Sequence, residues 1–197
     1  MNIGRVITLS VVGITSLLIL VFGIIFISGY NNLVDLDESI ESKYSQVENR
    51  LQQRHDTIEQ MVATVSGLQE HEVEIYNKIV EARTAYAAAQ LSGDLEALAE
   101  ADALESLAIT ELLVAIEDNP QITVSGSFNT LLDTIASIES TLSVSRRDYN
   151  TAVEKYNKSV RRFPGMVFAS MFDFEGSRDY WKIEDGVTEV PTIDFGD

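Results

Sequence analysis

The chain contains no cysteine, and this absence excludes several kinds of site at once. There is no disulfide framework, no thiolate nucleophile, no cysteine-based metal site and no cysteine to carry a lipid. Basic residues are also scarce, because 14 lysines and arginines stand against 31 acidic residues, for a formal net charge of −17. A nucleic-acid-binding face needs clustered lysine and arginine that displace the counterions of phosphate. We therefore expect no nucleic acid among the partners.

Histidine occurs only twice, as His55 and His71. His71 has no second histidine four residues later, so the two-histidine zinc helix is excluded. A di-iron bundle requires a glutamate three residues before each histidine, and those positions hold Gln52 and Leu68. Neither a glycine-rich phosphate loop nor a serine in a strained turn is recognisable. We expect a protein that is not an enzyme, with no catalytic residue, no cofactor and no metal ion.

Charged side chains are absent from residues 6–29, an apolar run that also lacks proline and amide side chains. As a helix that rises about 1.5 Å per residue, the run would reach about 36 Å, enough to cross a hydrocarbon core of about 30 Å. A cleavable signal peptide is the alternative, but its apolar part spans about 7 to 15 residues and ends at small side chains. Ile27 stands where a small residue belongs. The sequence therefore predicts an uncleaved transmembrane helix in the lipid bilayer.

The residues that flank this run predict its orientation. Arg5 precedes the run, whereas the next charged residues after it are acidic until Lys43. These acidic residues are Asp35, Asp37, Glu38 and Glu41. Because positively charged flanks stay in the cytoplasm, we expect residues 1–5 to be cytoplasmic and the rest of the chain to be exported.

After the run, apolar positions recur at nearly alternating steps of 3 and 4, which is a heptad seam. In the first soluble helix they are Leu33, Leu36, Ile40, Tyr44, Val47, Leu51, Ile58, Met61, Val65 and Leu68. Arg54 is the one charged residue on this stripe, and a buried guanidinium is tolerated only when it is paired. Either its stem lies along the seam while its head reaches water, or it is a buried polar group that fixes helix register. In the second case Glu117 or Glu139 is the expected partner.

Three interruptions divide the segment that follows. A break is predicted between Gly67 and His71, with one unbroken helix over residues 33–90 as the alternative. Ser92-Gly93-Asp94 predicts a turn, and Asn119-Pro120 predicts the end of the third helix. The apolar face of that helix is expected at Leu98, Ala101, Leu104, Ala108, Leu112 and Ala115.

The last helix has the most regular pattern, with large side chains at intervals of seven. They are Phe128, Ile135, Leu142, Tyr149, Tyr156 and Phe163. We expect one helix over residues 128–163, whose basic second half, including Arg146 and Arg147, lies beside the acidic start of the first soluble helix. Asn150 and Asn157 are expected to hydrogen-bond between helices, with a ligand cleft as the alternative.

The segment after the last helix begins with an apolar patch over residues 166–174, followed by Tyr180 and Trp181. We expect this patch to pack on the bundle or on a neighbouring subunit, and lipid contact is the alternative. From Glu184 onward the chain is acidic.

These patterns predict an all-α chain with an N-terminal transmembrane helix and an elongated, antiparallel up-and-down bundle of four helices. The expected boundaries are a cytoplasmic N-terminus over residues 1–5, a transmembrane helix over 6–29, a bundle over 30–164 and a tail over 165–197.

Several motifs at matching spacing resemble the LemA family. They are Tyr30-Asn31, Arg54-His55-Asp56, Arg146-Arg147-x-Tyr149-Asn150, Tyr156-Asn157 and Arg162-Phe163-Pro164. The resemblance implies an N-terminal anchor in the bacterial inner membrane, an antiparallel helical bundle on the periplasmic side and no established enzymatic activity. It also implies a role in the cell envelope, with a membrane protease or other envelope proteins as partners.

We therefore expect a non-enzymatic envelope scaffold or adaptor that self-associates as a homo-oligomer. The alternative is an extracytoplasmic sensory bundle that binds a small ligand and works with a membrane partner. The candidate structural and interaction residues are Arg54, Glu117, Glu139, Arg146, Arg147, Tyr149, Asn150, Tyr156, Asn157 and Phe163.

Overall fold

The structure is a computed structural model that describes residues 3–64, 72–117 and 126–182. Within these ranges the chain forms five helices and no strand. They are α1 (Ile3–Thr64), α2 (Glu72–Ser92), α3 (Leu95–Glu117), α4 (Gly126–Val160) and α5 (Gly165–Met171). Residues 174–182 follow α5 without helical structure, and we call this segment the strap. The all-α prediction is confirmed.

The chain divides into two compact units, to both of which α1 and α4 contribute. The first unit combines Met1–Ser42 with Thr151–Arg178 and contains the start of α1, the end of α4 and the whole of α5. The second unit combines Lys43–Asn150 with Asp179–Asp197 and contains the rest of α1, α2, α3 and most of α4.

The α1 helix continues from the apolar run into the first soluble helix without a break. Its most apolar window has a mean hydropathy of 2.7 and no buried residue, so α1 is long and apolar enough to cross a membrane. A signal sequence would satisfy the same criteria of length and composition. Further along α1, the heptad positions are buried at Leu33, Ile40, Val47, Leu51, Ile58 and Met61. The predicted seam is therefore confirmed over these residues, whereas Val65 and Leu68 lie outside the described residues.

In the second unit, α2 packs antiparallel to α1. The His55 ring stacks on the Tyr86 ring with centroids 5.0 Å apart, and Arg83 Nη2 lies 3.2 Å from Glu59 Oε1. In one unbroken helix, residues 55 and 86 would be about 46 Å apart. The alternative of a single helix over residues 33–90 is therefore wrong, although the predicted break between Gly67 and His71 itself lies outside the described residues.

The predicted turn at residues 92–94 joins α2 and α3 into a hairpin. Gly93 has a φ of 67°, a left-handed conformation that glycine adopts without steric cost, and its N–H donates to the carbonyl oxygen of Ala89. Asp94 Oδ1 accepts the N–H of Glu96 at 2.9 Å and caps the start of α3. The turn prediction is confirmed.

The buried face of α3 lacks one of the predicted residues. Leu104 is 42% exposed, whereas the next residue, Glu105, is 1% exposed. The heptad positions Leu98, Ala101, Glu105, Ala108 and Leu112 are buried and follow steps of 3, 4, 3 and 4, and Asp102 and Ile109 beside them are buried as well. The prediction of Leu104 was wrong because a core glutamate keeps the heptad register, and the side chain of Ala115 lies outside the described residues.

The α4 helix buries its heptad residues at Phe128, Ile135, Leu142, Tyr149 and Tyr156. The expected end of this helix is wrong, because α4 ends at Val160 and Phe163 is 83% exposed. Pro164 restricts the residue before it to conformations outside the helical region. The seven-residue spacing therefore continues to Phe163, three residues after α4 has ended. Phe163 is not part of the seam.

Candidate functional site

A group of charged side chains fills part of the interior of the second unit, and we call it the Arg54 cluster. It contains Arg54 and His55 from α1, Asp102 and Glu105 from α3, and Glu139 and Arg146 from α4. The Arg54 side chain is fully buried. Its Nη1 donates to Glu139 Oε1 at 2.8 Å and to Ser106 Oγ at 3.0 Å. Its Nε and Nη2 donate to Glu105 Oε2 at 3.3 and 3.1 Å.

The predicted alternative in which the head of Arg54 reaches water is therefore wrong. Of the two partners expected for a buried Arg54, Glu139 binds it, while the side chain of Glu117 lies outside the described residues. Glu105 is not among the residues predicted from the sequence, which places Leu104 on the buried face of α3.

Two arginines share the carboxylate of Asp102. Arg54 Nη2 lies 2.7 Å from Asp102 Oδ1 as an ion pair, and Arg146 Nη2 donates to Asp102 Oδ2. Burial raises the pKa of Asp102, and the attraction of Arg54 and Arg146 only partly offsets this increase. Burial likewise lowers the pKa of Arg146, and the attraction of Asp102 only partly offsets this decrease. The pair is therefore held in place at a considerable desolvation cost.

Burial alone would lower the pKa of Arg54, but the carboxylates of Asp102, Glu139 and Glu105 together raise it above its ordinary value. Glu105 Oε1 also lies 2.8 Å from His55 Nδ1. Burial, and next the Glu105 carboxylate, raise the pKa of Tyr86 to about 12.

The carboxylates of the Arg54 cluster face guanidinium groups. Within the described residues, no group of three or more His, Asp or Glu side chains is arranged to hold a metal ion. The geometry instead joins α1, α3 and α4 through one guanidinium. Arg147, the neighbour of Arg146, is exposed on α4.

A second feature is formed by Tyr149 and Asn150, which hold the backbone of the strap in the second unit. Asn150 Nδ2 donates to the carbonyl oxygen of Trp181 at 3.0 Å, and the Trp181 N–H donates to Asn150 Oδ1 at 2.8 Å. The Tyr149 hydroxyl donates to the carbonyl oxygen of Asp179 at 3.0 Å. We call this arrangement the Tyr149–Asn150 clamp.

The same arrangement occurs in the first unit with Tyr156 and Asn157. Asn157 Nδ2 donates to the carbonyl oxygen of Arg178 at 2.9 Å, and the Arg178 N–H donates to Asn157 Oδ1 at 2.8 Å. The Tyr156 hydroxyl donates to the carbonyl oxygen of Glu175 at 2.9 Å. We call this arrangement the Tyr156–Asn157 clamp.

In each clamp, one asparagine amide satisfies both the N–H and the C=O of a single strap residue. A neighbouring β-strand would satisfy the same two groups, and without such partners they would remain unpaired wherever water is excluded.

The expected hydrogen bonds between helices were wrong, because Asn150 and Asn157 bind the strap. The repeat of Tyr-Asn after seven residues was visible in the sequence, but nothing there indicated an extended backbone as its partner.

Trp181 links the Tyr149–Asn150 clamp to the Arg54 cluster. Its side chain is buried, and the Arg146 guanidinium lies 5.9 Å from its ring centroid, within the range of a cation–π contact. Arg146 therefore contacts both the Asp102 carboxylate and the indole ring.

A third feature lies at the end of the apolar run, in the first unit. The Phe168 ring of α5 packs edge-to-face on Phe26 with centroids 5.3 Å apart. The Phe172 ring contacts Phe26 at 5.7 Å and Tyr30 at 4.7 Å. Phe168 and Ala169 are buried, so this part of the apolar patch packs on α1.

The acidic start of the soluble part of α1 was expected to lie beside the basic half of α4, but its described ion pairs are made elsewhere. Arg178 Nη2 donates to Asp37 Oδ1 at 2.8 Å and lies 3.7 Å from Glu41 Oε1. Burial would lower the pKa of Arg178, but Asp37 raises it above its ordinary value. The described ion pairs of Asp37 and Glu41 are therefore made to the strap, and Lys158, from the basic half of α4, pairs with Glu154 on its own helix.

Comparison with known proteins adds one finding. A family model described as the LemA family matches residues 43–195. No curated protein matches the chain significantly.

Proposed function

The chain belongs to the LemA family, and on this premise we propose that it is a non-enzymatic, membrane-anchored helical bundle of the cell envelope. It acts as a scaffold or adaptor through protein contacts and self-associates. The observation that carries this proposal is an apolar stripe on the outer face of α3.

The stripe consists of Leu104, Leu107 and Val114, which are all exposed. Spacings of 3 and 7 residues place them on one face of the helix, on the side opposite the buried seam. Leu104 and Leu107 also line a groove of about 810 Å³, together with Tyr180 of the strap. An exposed apolar stripe with heptad spacing is suited to pack against another helix.

A second copy of the chain is the partner that we propose for this stripe, because most soluble assemblies are symmetric homo-oligomers. The transmembrane segment offers less for association. Its glycines at 13, 23 and 29 are ten and six residues apart, which does not match the close-packing motif of paired transmembrane helices, whose small residues stand four apart. Self-association is therefore assigned to the bundle.

A non-enzymatic role is supported by how the buried polar groups are used. In the Arg54 cluster, Arg54 and Arg146 take up the carboxylates that could otherwise act as acids or bases. In the two clamps, Asn150 and Asn157 bind the strap backbone. These described groups are engaged in holding the fold together.

An uncleaved anchor is supported by the packing of Phe26 and Gly29. Both belong to the apolar run, and both contact the Phe168 side of α5. Cleavage near Gly29 would remove one wall of the first unit's core. Residues 6–29 are thus proposed to stay in the bilayer of the bacterial inner membrane as a single span.

The flanking charges, with Arg5 before the run and acidic residues after it, support a periplasmic bundle. On that side, a membrane protease or other envelope proteins are the proposed partners besides a second copy of the chain.

The oligomeric state tests the role of the stripe. The full chain is purified in mild detergent, and its mass is measured by light scattering at micromolar concentration. We expect an oligomer, which Leu107→Glu converts to a smaller species because a charge cannot be buried in an apolar interface. Ala88→Glu, at an exposed position of α2, is the control and should leave the mass unchanged. A monomeric wild-type chain would contradict the proposal.

Topology is tested separately. A phosphatase reporter that is active only outside the cytoplasm, fused after Asp197, should be active in intact cells. An inactive phosphatase, together with an active cytosolic reporter at the same position, would reverse the proposed orientation.

A further inference from the structure

Three contacts in the first unit fix the position of α5 along the axis of α1. Phe168 and Phe172 both pack on the Phe26 ring. A β-carbon at Gly29 would collide with the Phe168 ring, so the two helices approach closely at this glycine. These α1 residues belong to the apolar run over residues 6–29.

A helix that packs against a transmembrane run lies at the same depth in the membrane as the residues that it contacts. Phe26 precedes the end of the run by three residues, or about 4.5 Å along the helix axis. If the run fills the hydrocarbon core, a helix that packs on Phe26 and Gly29 lies at the boundary between that core and the headgroups. This placement of α5 follows from the described contacts together with the proposed anchor.

The face of α5 that does not contact α1 is apolar and exposed. Met171 is 59% exposed, and the other large apolar side chains around α5 are also accessible. They are Phe163, Met166 and Val167. A contiguous set of this kind is unusual on a surface that only water covers, whereas an interfacial helix places its apolar face among acyl chains.

Polar and aromatic neighbours of α5 match the chemistry of the headgroup region. Arg161 and Arg162 are exposed immediately before Phe163, and long basic side chains can lie along apolar surface while their charged heads reach lipid phosphate. Tyr30 packs on Phe172 at the end of the run. Tyrosine is enriched at this level of membranes because its ring is apolar and its hydroxyl is polar.

We propose that α5 is a second membrane-contacting element, which lies in the interface of the leaflet where the apolar run ends and buries its exposed face among lipids. The inference rests on the proposed membrane anchor. It adds that the chain contacts the bilayer through two segments that are distant in sequence. The first unit is then partly immersed in the lipid. The occupant of the exposed face of α5 is lipid, rather than a second protein.

The absence of cysteine from the chain allows a direct test with single spin labels. The full chain is reconstituted in lipid nanodiscs with one cysteine at a time, as Met171→Cys, Val167→Cys, Ile25→Cys or Val144→Cys. Ile25 lies in the run and reports the depth of the anchor. Val144, on α4 in the second unit, is 45% exposed and is the matched control. The measurement is the accessibility of each label to oxygen, which concentrates in lipid, and to a water-soluble nickel chelate.

We expect the labels at 171 and 167 to resemble the label at 25, with collision rates several-fold higher for oxygen than for nickel. The label at 144 should show the opposite preference. If the label at 171 behaves like that at 144 while the label at 25 is in lipid, the inference is overturned and the anchor stands. Protection of 171 from both reagents would mean that protein covers α5 and would also overturn it. A label at 25 that favours nickel would overturn the anchor itself.

Discussion

Arg54 Nη1 lies 2.8 Å from Glu139 Oε1, although 85 residues separate the two in sequence. The same guanidinium binds Glu105, so one buried side chain connects α1, α3 and α4 in the second unit. We expect this charge to favour one helix register, because a shift would leave the buried carboxylates of Asp102 and Glu105 unpaired.

Replacement of Arg54 by methionine should strongly destabilise the chain. Arg54→Met keeps a similar stem but leaves Asp102, Glu105 and Glu139 without their shared partner, and we expect the free energy of unfolding to fall by about 3–5 kcal/mol. The measurement is a denaturant titration of the full chain in mild detergent, followed by circular dichroism. Arg50→Met, on the same helix but with only a hydrogen bond to Gln53 described, is the control. Equal losses for the two variants would show that the cluster has no special role in stability.

The raised pKa of Asp102 predicts a pH-dependent contribution to stability. Because burial raises its pKa in the folded chain above the ordinary 3.8, the folded state binds more protons than the unfolded state at pH values between the two. Stability must then fall as the pH rises through this interval. The contribution of Asp102 is therefore fully present below pH 3.8 and is lost as the pH passes its folded pKa.

This effect is measured as the difference in melting temperature between the wild type and Asp102→Asn over a pH series. We expect the difference, wild type minus variant, to decrease as the pH rises from about 4 toward neutrality. Asp133→Asn, at an exposed position of α4, should give a flatter difference. An increase with pH for Asp102→Asn would mean that the two arginines outweigh burial and that the direction of the pKa shift is wrong.

Loss of one clamp should release the only tryptophan of the chain. Asn150→Ala removes both hydrogen bonds to the Trp181 backbone, each worth about 1 kcal/mol. Because Trp181 is buried, we expect its fluorescence to shift to longer wavelength and acrylamide quenching to increase. Asn77→Ala, at an exposed position of α2, should leave the emission unchanged. Unaltered emission in Asn150→Ala would show that the strap is held without the clamp.

A larger side chain at Gly29 should separate α5 from α1. Gly29→Leu introduces a side chain where even a β-carbon would collide with Phe168, and overpacking of this kind costs about 1–3 kcal/mol. We expect a lower melting temperature in nanodiscs, which differential scanning calorimetry can measure. Gly23→Leu adds the same side chain in open space on the same helix and should be neutral. A neutral Gly29→Leu would indicate that α5 does not depend on close packing at this glycine.

Much of the fold could be predicted from local patterns. The heptad positions of α1 and α4 are buried as their spacing indicates, and the turn at Gly93 forms because its sequence supplies both a left-handed residue and a cap. Helix periodicity and turn chemistry act over a few residues, so the sequence displays them directly.

Two of the errors concern polar side chains whose partners are distant in the sequence. Hydrophobicity predicts Leu104 rather than Glu105 at the buried position of α3. The helix register instead places residue 105 in the core, where Arg54 pairs with the charge of Glu105. Asn150 was assigned to another helix because its partner is a backbone, and backbone groups leave no signature in the sequence.

By itself, the sequence determined the helical class, the charge-free run and the heptad registers of α1 and α4, since each follows from residues that are close neighbours along the chain. Only the tertiary structure decided that three helices converge on Arg54, that the tyrosine–asparagine pairs hold the strap, and that α5 packs on the end of the apolar run. These outcomes depend on which groups meet after the chain reverses direction, and the free energy of such contacts is set by burial and geometry that local patterns do not contain.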